Sequence, residues 1–179
     1  MNEQGVNILL VDDEPNVLTA LLRLLRQYQV TMATSGEEAL MLAKGQKFDL
    51  VISDYRMPGI DGIEFLILFK HIQPDAIRVM LSGHADLQGV QQAINEAQVF
   101  RFINKPWNNF EILNAVESGL AHQRILKENK VLAEQVRAQQ ALLDKKDAIL
   151  KALEAEEPGI TKVDWTADGS IIINEDDYE

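Results

Sequence analysis

Apolar residues in this chain follow two rhythms. Largely apolar runs at 6–11, 50–53 and 77–81, a weaker alternating run at 29–34 and a fifth run at 99–103 each stop at a polar or turn-forming residue. A short apolar run bounded by turn signals reads as a strand, and one without alternation reads as a strand buried on both faces of a parallel sheet. Between the runs the spacing changes to every third or fourth residue. Leu18, Leu21, Leu22 and Leu25 predict a helix from Pro15 up to Tyr28, with the proline in its first turn. Ser35 and Glu38 form a capping box that opens a second helix, closed by Gly45. A third begins at Asp61 with Phe65, Phe69 and Ile72 on one face and ends near Pro74. A fourth is expected over 86–97, carrying Leu87, Val90, Ile94 and Ala97. Gly89 inside it weakens it by up to about 1 kcal/mol relative to alanine. Strands alternating with helices make an α/β domain, and the weak 29–34 run belongs near the edge of its sheet.

From Asn109 a fifth helix presents Ile112, Leu113, Val116 and Leu120 to the sheet, and nothing stops it there. No glycine or proline occurs between Leu120 and Pro158, so 122–153 reads as continuous helix. Asn129, Val136, Leu143 and Leu150 share one heptad position; Ile125, Leu132, Gln139, Lys146 and Leu153 share the other. A lone asparagine on such a seam fixes a parallel two-stranded register, so we expect a dimeric coiled-coil stalk over 122–157. A single amphipathic helix packed on its own domain is the alternative, because periodicity alone does not set oligomeric state. Charge then changes sign. Residues 122–153 are net basic, whereas 154–179 hold Lys162 as the sole base among many acids. Two β-rich runs there flank Asp168-Gly169, which predicts a hairpin over 158–179 followed by an acidic tail. An isolated hairpin is marginal in water, so it needs a partner. The expected organisation is 1–121, 122–157 and 158–179.

Composition narrows the class. The chain has 179 residues with 17 basic and 28 acidic side chains, net −11, which argues against a general nucleic-acid surface. It has no cysteine, hence no disulfide framework or thiolate metal cage, and its three histidines, His71, His84 and His122, are too scattered for zinc. No signal peptide or membrane-length apolar run is visible, and a cytoplasmic protein is expected.

The chemistry lies where the apolar runs stop. The 50–53 run meets Asp54, with Pro58-Gly59 soon after, and the first run meets Asp12 and Asp13. Ligand sites of open α/β sheets form at the carboxyl ends of strands. Asp54 is there a metal ligand, a nucleophile or a cap for the next turn. Three carboxylates gathered in one cleft repel one another and call for a cation. Oxygen-only ligation suits Mg²⁺ better than zinc or calcium. The other two strand ends add a hydroxyl, Ser82, and an ammonium, Lys105.

The acidic pair, the Asp before Met57-Pro58-Gly59-Ile60-Asp61-Gly62, the Ser82-Gly83 and the Lys105-Pro106, in this order and spacing, resemble the receiver domain of two-component response regulators over about 5–121. The resemblance implies a flavodoxin-like, doubly wound parallel sheet of order 2-1-3-4-5. It implies that Asp54 accepts a phosphoryl group from a histidine kinase or phosphotransfer protein. Asp13 is then a direct Mg²⁺ ligand, Asp12 one through water, and the Arg56 backbone carbonyl a third. Lys105 becomes the counter-cation, Ser82 the hydroxyl that follows the phosphoryl group, and Phe102 the aromatic switch. A cis Lys105-Pro106 bond is also implied. Arg56 and His84 each lie two residues beyond a site position and are expected to modulate dephosphorylation.

Chemistry of this kind needs an in-line nucleophile and charge compensation, and a carboxylate can be the nucleophile. A dehalogenase-type phosphatase would need a second aspartate where Arg56 stands. A nucleotide-binding domain would need glycines where Asp12-Asp13-Glu14-Pro15 stands. No separate output enzyme and no helix-turn-helix is visible after His122, so signalling is expected to pass through the dimeric stalk to a protein partner. The alternative is that the chain is the receiver and stalk of a longer regulator with a separate effector.

Overall fold

Five strands lie parallel in the order β2-β1-β3-β4-β5, as the resemblance implies. They are β1 (Asn7–Val11), β2 (Gln29–Ala33), β3 (Leu50–Asp54), β4 (Ile77–Ser82) and β5 (Arg101–Asn104). This is a computed structural model, and it describes residues 5–83, 93–156 and 158. The helices, numbered among those residues, are α1 (Pro15–Leu24), α2 (Gly36–Gly45), α3 (Gly62–Ile72) and the long α4 (Asn109–Glu156). Two compact units divide the chain, Met1–Glu128 and Asn129–Glu179.

Alternation along the central strands splits the core of the first unit in two. Ile8, Leu10, Leu50, Ile52, Val79 and Leu81 pack with Leu18 and Leu21 of α1 and with Ile112, Val116 and Leu120 of α4. Leu9, Val11, Val51 and Met80 pack on the other side with Ala39 and Ala43 of α2 and Phe65, Leu66 and Phe69 of α3. A sheet covered on both faces explains why β1, β3 and β4 carry apolar residues on both faces instead of alternating apolar with polar. β2 is the edge strand anticipated from its weak pattern, with Gln29 and Met32 exposed.

Caps set the helix starts. Ser35 Oγ accepts the Glu38 N–H at 3.2 Å, and Asp61 Oδ1 accepts the Glu64 N–H at 2.9 Å. Glu38 completes its side of the cap on Thr34, whose N–H it accepts at 2.7 Å. Two boundaries differ from expectation. α1 ends at Leu24, with the Leu25 N–H capping on Leu21 O, so Tyr28 is buried in the core from a turn instead of a helix. β5 begins at Arg101, not at Val99, because the chain leaves a π-helical turn (Ala93–Ala97) through Gln98 at φ 51°. That turn is the described part of the fourth helix anticipated over 86–97; the rest of that helix, and the hairpin and tail of 159–179, lie outside the described residues.

Two cations hold this turn. Lys70 Nζ donates to Glu96 O at 2.8 Å and Arg78 Nε to Ala97 O at 2.7 Å. Arg78 is buried within β4 and also donates to Ala76 O at 2.7 Å and Pro74 O at 3.3 Å. Burial pulls its guanidinium below the ordinary arginine value, an effect opposed by Asp75. At the same amino end of the strands, buried Gln123 of α4 donates to Asp49 O at 3.1 Å and Asp75 O at 3.0 Å. One turn on, Lys127 pairs with Asp49 at 3.1 Å.

In the second unit the described residues 129–156 lie on α4, and Leu132, Val136, Leu143 and Leu150 are all at least half exposed in the single chain. No helix among the described residues is long and apolar enough to cross a membrane.

Candidate functional site

Three strands of the sheet end in the residues singled out from the sequence. Asp54 is the last residue of β3, Ser82 the last of β4, and Asp12 follows β1. Register places Asp54 beside Leu81 and Ser82 beside Asn104, so these ends share the carboxyl edge of the sheet. Asp12, Ser82 and Asp54 are buried, and Asp13 is exposed.

One carboxylate oxygen from each of Asp12, Asp13 and Asp54 falls within 4.8 Å of the others, the arrangement of a hard-cation pocket. An all-oxygen, partly exposed donor set with room for water fits Mg²⁺ and does not fit zinc. Lys105 is the cation this chain supplies itself. Its Nζ lies 2.8 Å from Asp12 Oδ2 and 2.8 Å from Asp54 Oδ1, with Glu14 Oε1 at 4.0 Å. It reaches them from the turn after β5, where the Lys105 N–H donates to Ser82 O at 2.8 Å and Lys105-Pro106 is cis.

Burial holds the Asp54 carboxyl above its ordinary range; the hydrogen bond and charge of Lys105 oppose that rise, and the Asp12 carboxylate adds to it. For Lys105, burial alone would lower the ammonium, but its hydrogen bonds and charges with Asp12 and Asp54 outweigh it and hold it above its ordinary value.

Backbone groups complete the first layer. The Arg56 N–H donates to Asp54 Oδ2 at 3.2 Å and the Glu14 N–H to Asp12 Oδ1 at 2.9 Å. Gly62 is required by closeness: a side chain there would collide with the Asp54 carbonyl, while the Gly62 N–H donates to Tyr55 O at 2.8 Å. Gly59 stands at φ +83°, the left-handed region that glycine tolerates best.

The structure thus brings Asp12, Asp13, Asp54 and Lys105 together and puts Ser82 at the neighbouring strand end. Arg56 meets Asp54 through its backbone, with its side chain exposed. Phe102, on β5, is half-buried against the α2–α3 side of the core. His84 lies outside the described residues. Sequence reasoning missed the Glu14 N–H and the Gly62 approach. Glycine at 62 was a visible signal, but only the fold shows what it packs against.

Comparison with known proteins points the same way. Residues 8–117 match the family model described as response regulator receiver domain. The chain is 32% identical over 124 residues to the hydrogenase transcriptional regulatory protein HoxA of Cupriavidus necator, covering 69% of this chain and 26% of that protein. It is 30% identical over 176 residues to the transcriptional regulatory protein GlrR of Escherichia coli K12, covering 97% of this chain and 37% of that protein. The chain therefore spans well under half the length of these curated relatives. Among solved structures, a chain described as adenylate cyclase from Rhodopirellula baltica superposes with a TM-score of 0.69 at 36% identity, over 73% of this chain and 98% of that one. With the matched span taking in all five strands and the acidic pocket, the chain belongs to the family of response regulator receiver domains.

Proposed function

We propose that Asp54 accepts a phosphoryl group and that the chain acts as the switch of a two-component phosphorelay. The observation that carries this reading is the Asp54–Lys105 pair at 2.8 Å inside a three-carboxylate pocket. In the transfer, an Asp54 carboxylate oxygen forms the new bond to phosphorus. The bond from phosphorus to the donor breaks, and its electron pair leaves with the donor: the imidazole of a histidine kinase or phosphotransfer protein, or the acid of a small acyl phosphate. Such a transition state is loose, so catalysis is positioning plus charge compensation. Lys105 would pair with the phosphoryl oxygens, as it already does with Asp54, and Ser82 would donate its hydroxyl to one of them. Asp13 would bind Mg²⁺ directly, Asp12 through water, with Asp54 and the Arg56 carbonyl completing the protein ligands. When bound, Mg²⁺ supplies positive charge that offsets the incoming phosphoryl oxygens.

Phe102 would follow Ser82 as the aromatic switch. Arg56 and His84 would set the lifetime of the acyl phosphate by shielding it from water or positioning that water, and the decay rate after replacing both by alanine tests this. The chain would work in the cytoplasm, contribute no output chemistry of its own through these residues, and pass its state through a dimeric coiled coil over 122–157 to a protein partner, without contacting nucleic acid or membrane. A second reading is favoured by the 26% and 37% coverage of HoxA and GlrR: receiver and stalk of a longer regulator bearing a separate effector. Incubation with acetyl phosphate and MgCl₂ tests the shared core of both. One phosphoryl group on the wild type and none on Asp54→Asn is expected; undiminished labelling of Asp54→Asn would end the proposal.

A further inference from the structure

The loop from Tyr55 to Asp61 supplies Arg56, and its two ends are tied to the sheet and to itself. The Tyr55 N–H donates to Leu81 O at 2.8 Å, and the Gly62 N–H returns to Tyr55 O at 2.8 Å. The middle, Pro58-Gly59-Ile60, is held from α2. Glu37, in the first turn of that helix, accepts the Ile60 N–H on Oε1 at 3.2 Å. The Ile60 side chain fills the space beside Gly36, where an added Cβ would come within 2.5 Å of Ile60 Cγ1. A side chain on Gly59 would strike the Glu37 carboxylate. One helical turn therefore grips both the backbone and the side chain of Ile60, and the loop bends at Gly59 to meet it. The Glu37 carboxyl lies below its ordinary range, chiefly through hydrogen bonds from its own N–H and that of Ile60, so it is ionised and a strong acceptor.

From this arrangement we infer that Glu37 is a positioning residue for the metal site: through Ile60 it fixes the turn that sets where the Arg56 carbonyl points. The inference rests on reading the acidic pocket as a Mg²⁺ site. Mg²⁺ demands near-ideal octahedral geometry, so a backbone ligand on a slack loop binds it poorly. Groups that orient metal ligands without touching the metal are a recognised source of affinity.

The test is calorimetric titration of the full chain with MgCl₂ after removal of metal, for the wild type, Glu37→Ala and Glu37→Gln, alongside melting curves in EDTA. Glu37→Ala should raise the Mg²⁺ Kd about fivefold, the size of one typical net hydrogen bond. Glu37→Gln keeps an acceptor oxygen for the Ile60 N–H and should stay within about twofold of the wild type, because it removes only a distant, solvent-screened charge. The EDTA melting curves should move little, since Glu37 is an exposed side chain. An unchanged Kd in Glu37→Ala overturns the inference. So does equal weakening in both variants, which would mean that net charge and not loop position is felt. A wild type that takes up no Mg²⁺ overturns the metal reading and this inference with it.

Discussion

Lys105 Nζ stands 2.8 Å from Asp54 Oδ1, an ion pair that spans the end of β4 to join the turn after β5 to the end of β3. Asp12 shares the same ammonium at 2.8 Å, so one cation serves two buried carboxylates. Without metal the balance is unfavourable to Asp54. Its carboxyl is held above its unfolded value, so folding favours its protonated form. That contribution is fully present below the unfolded pKa and is lost as pH rises through the folded one, and at neutral pH the ionised group costs stability. Asp54→Asn should therefore melt higher than the wild type at pH 7 in EDTA, while Lys105→Ala should keep the fold but melt lower. Calorimetry in EDTA checks both; a lower melting temperature for Asp54→Asn would contradict the account.

Arg78 is the internal cross-link of this fold. It satisfies the Ala76 and Ala97 carbonyls at 2.7 Å each from within β4. Arg78→Met keeps much of the bulk but leaves buried acceptors without donors, a loss of about 1–3 kcal/mol per group. Lys70→Met, on the exposed side of the same turn, should stay within about 0.5 kcal/mol. Urea unfolding separates the two, and equal effects would show that Arg78 is held by its neighbours and not the reverse.

Most of this architecture could be read along the chain because each apolar run stops at a chemically distinct residue. Asp12, Asp54 and Ser82 announce themselves as terminators of strands buried on both faces, and Lys105 follows the end of the edge strand β5. Arg78 could not be read this way: an arginine inside an apolar run looks like a solvated interruption until the fold supplies three carbonyls around it. The start of β5 was missed for a related reason. Val99 and Phe100 have strand-like side chains, but the π-helical turn and the left-handed Gln98 delay pairing until Arg101. Glu37 likewise looks like a first-turn acid and nothing more, since its partner Ile60 is distant in sequence.

Two contacts that α4 makes within the first unit differ sharply in expected worth. Buried Gln123 bonds the Asp49 and Asp75 carbonyls, whereas Lys127 meets Asp49 from a half-exposed position. Gln123→Ala should cost about 1–3 kcal/mol through the loss of two buried hydrogen bonds, although the Asp49 carbonyl keeps the Ile77 N–H at 2.9 Å. Lys127→Ala should cost less than about 1 kcal/mol, as an exposed ion pair screened by water. Hydrogen exchange at residues 119–128 should rise in the first variant and not in the second; the reverse order would contradict this ranking.

The proposed stalk carries Val136, Leu143 and Leu150 at one heptad position, all exposed in the single chain. Against a second copy each would contribute about 1.5–3 kcal/mol if fully buried. Sedimentation should find the full chain dimeric even as Asp54→Asn, and monomeric with Leu143→Asp and Leu150→Asp together. Residues 1–128 alone should be monomeric when unphosphorylated. A monomeric full chain, unaffected by the aspartates, would return α4 beyond Glu128 to a single solvated helix.

Trapping the phosphoryl group where it lands tests the central claim most directly. Borohydride reduces an aspartyl phosphate to homoserine, so peptide mapping after treatment with acetyl phosphate and MgCl₂ reads the position of the acyl phosphate. The account predicts homoserine at position 54 alone, and none when EDTA replaces MgCl₂. Homoserine at position 12 or 13, or label that forms without Mg²⁺, would contradict it.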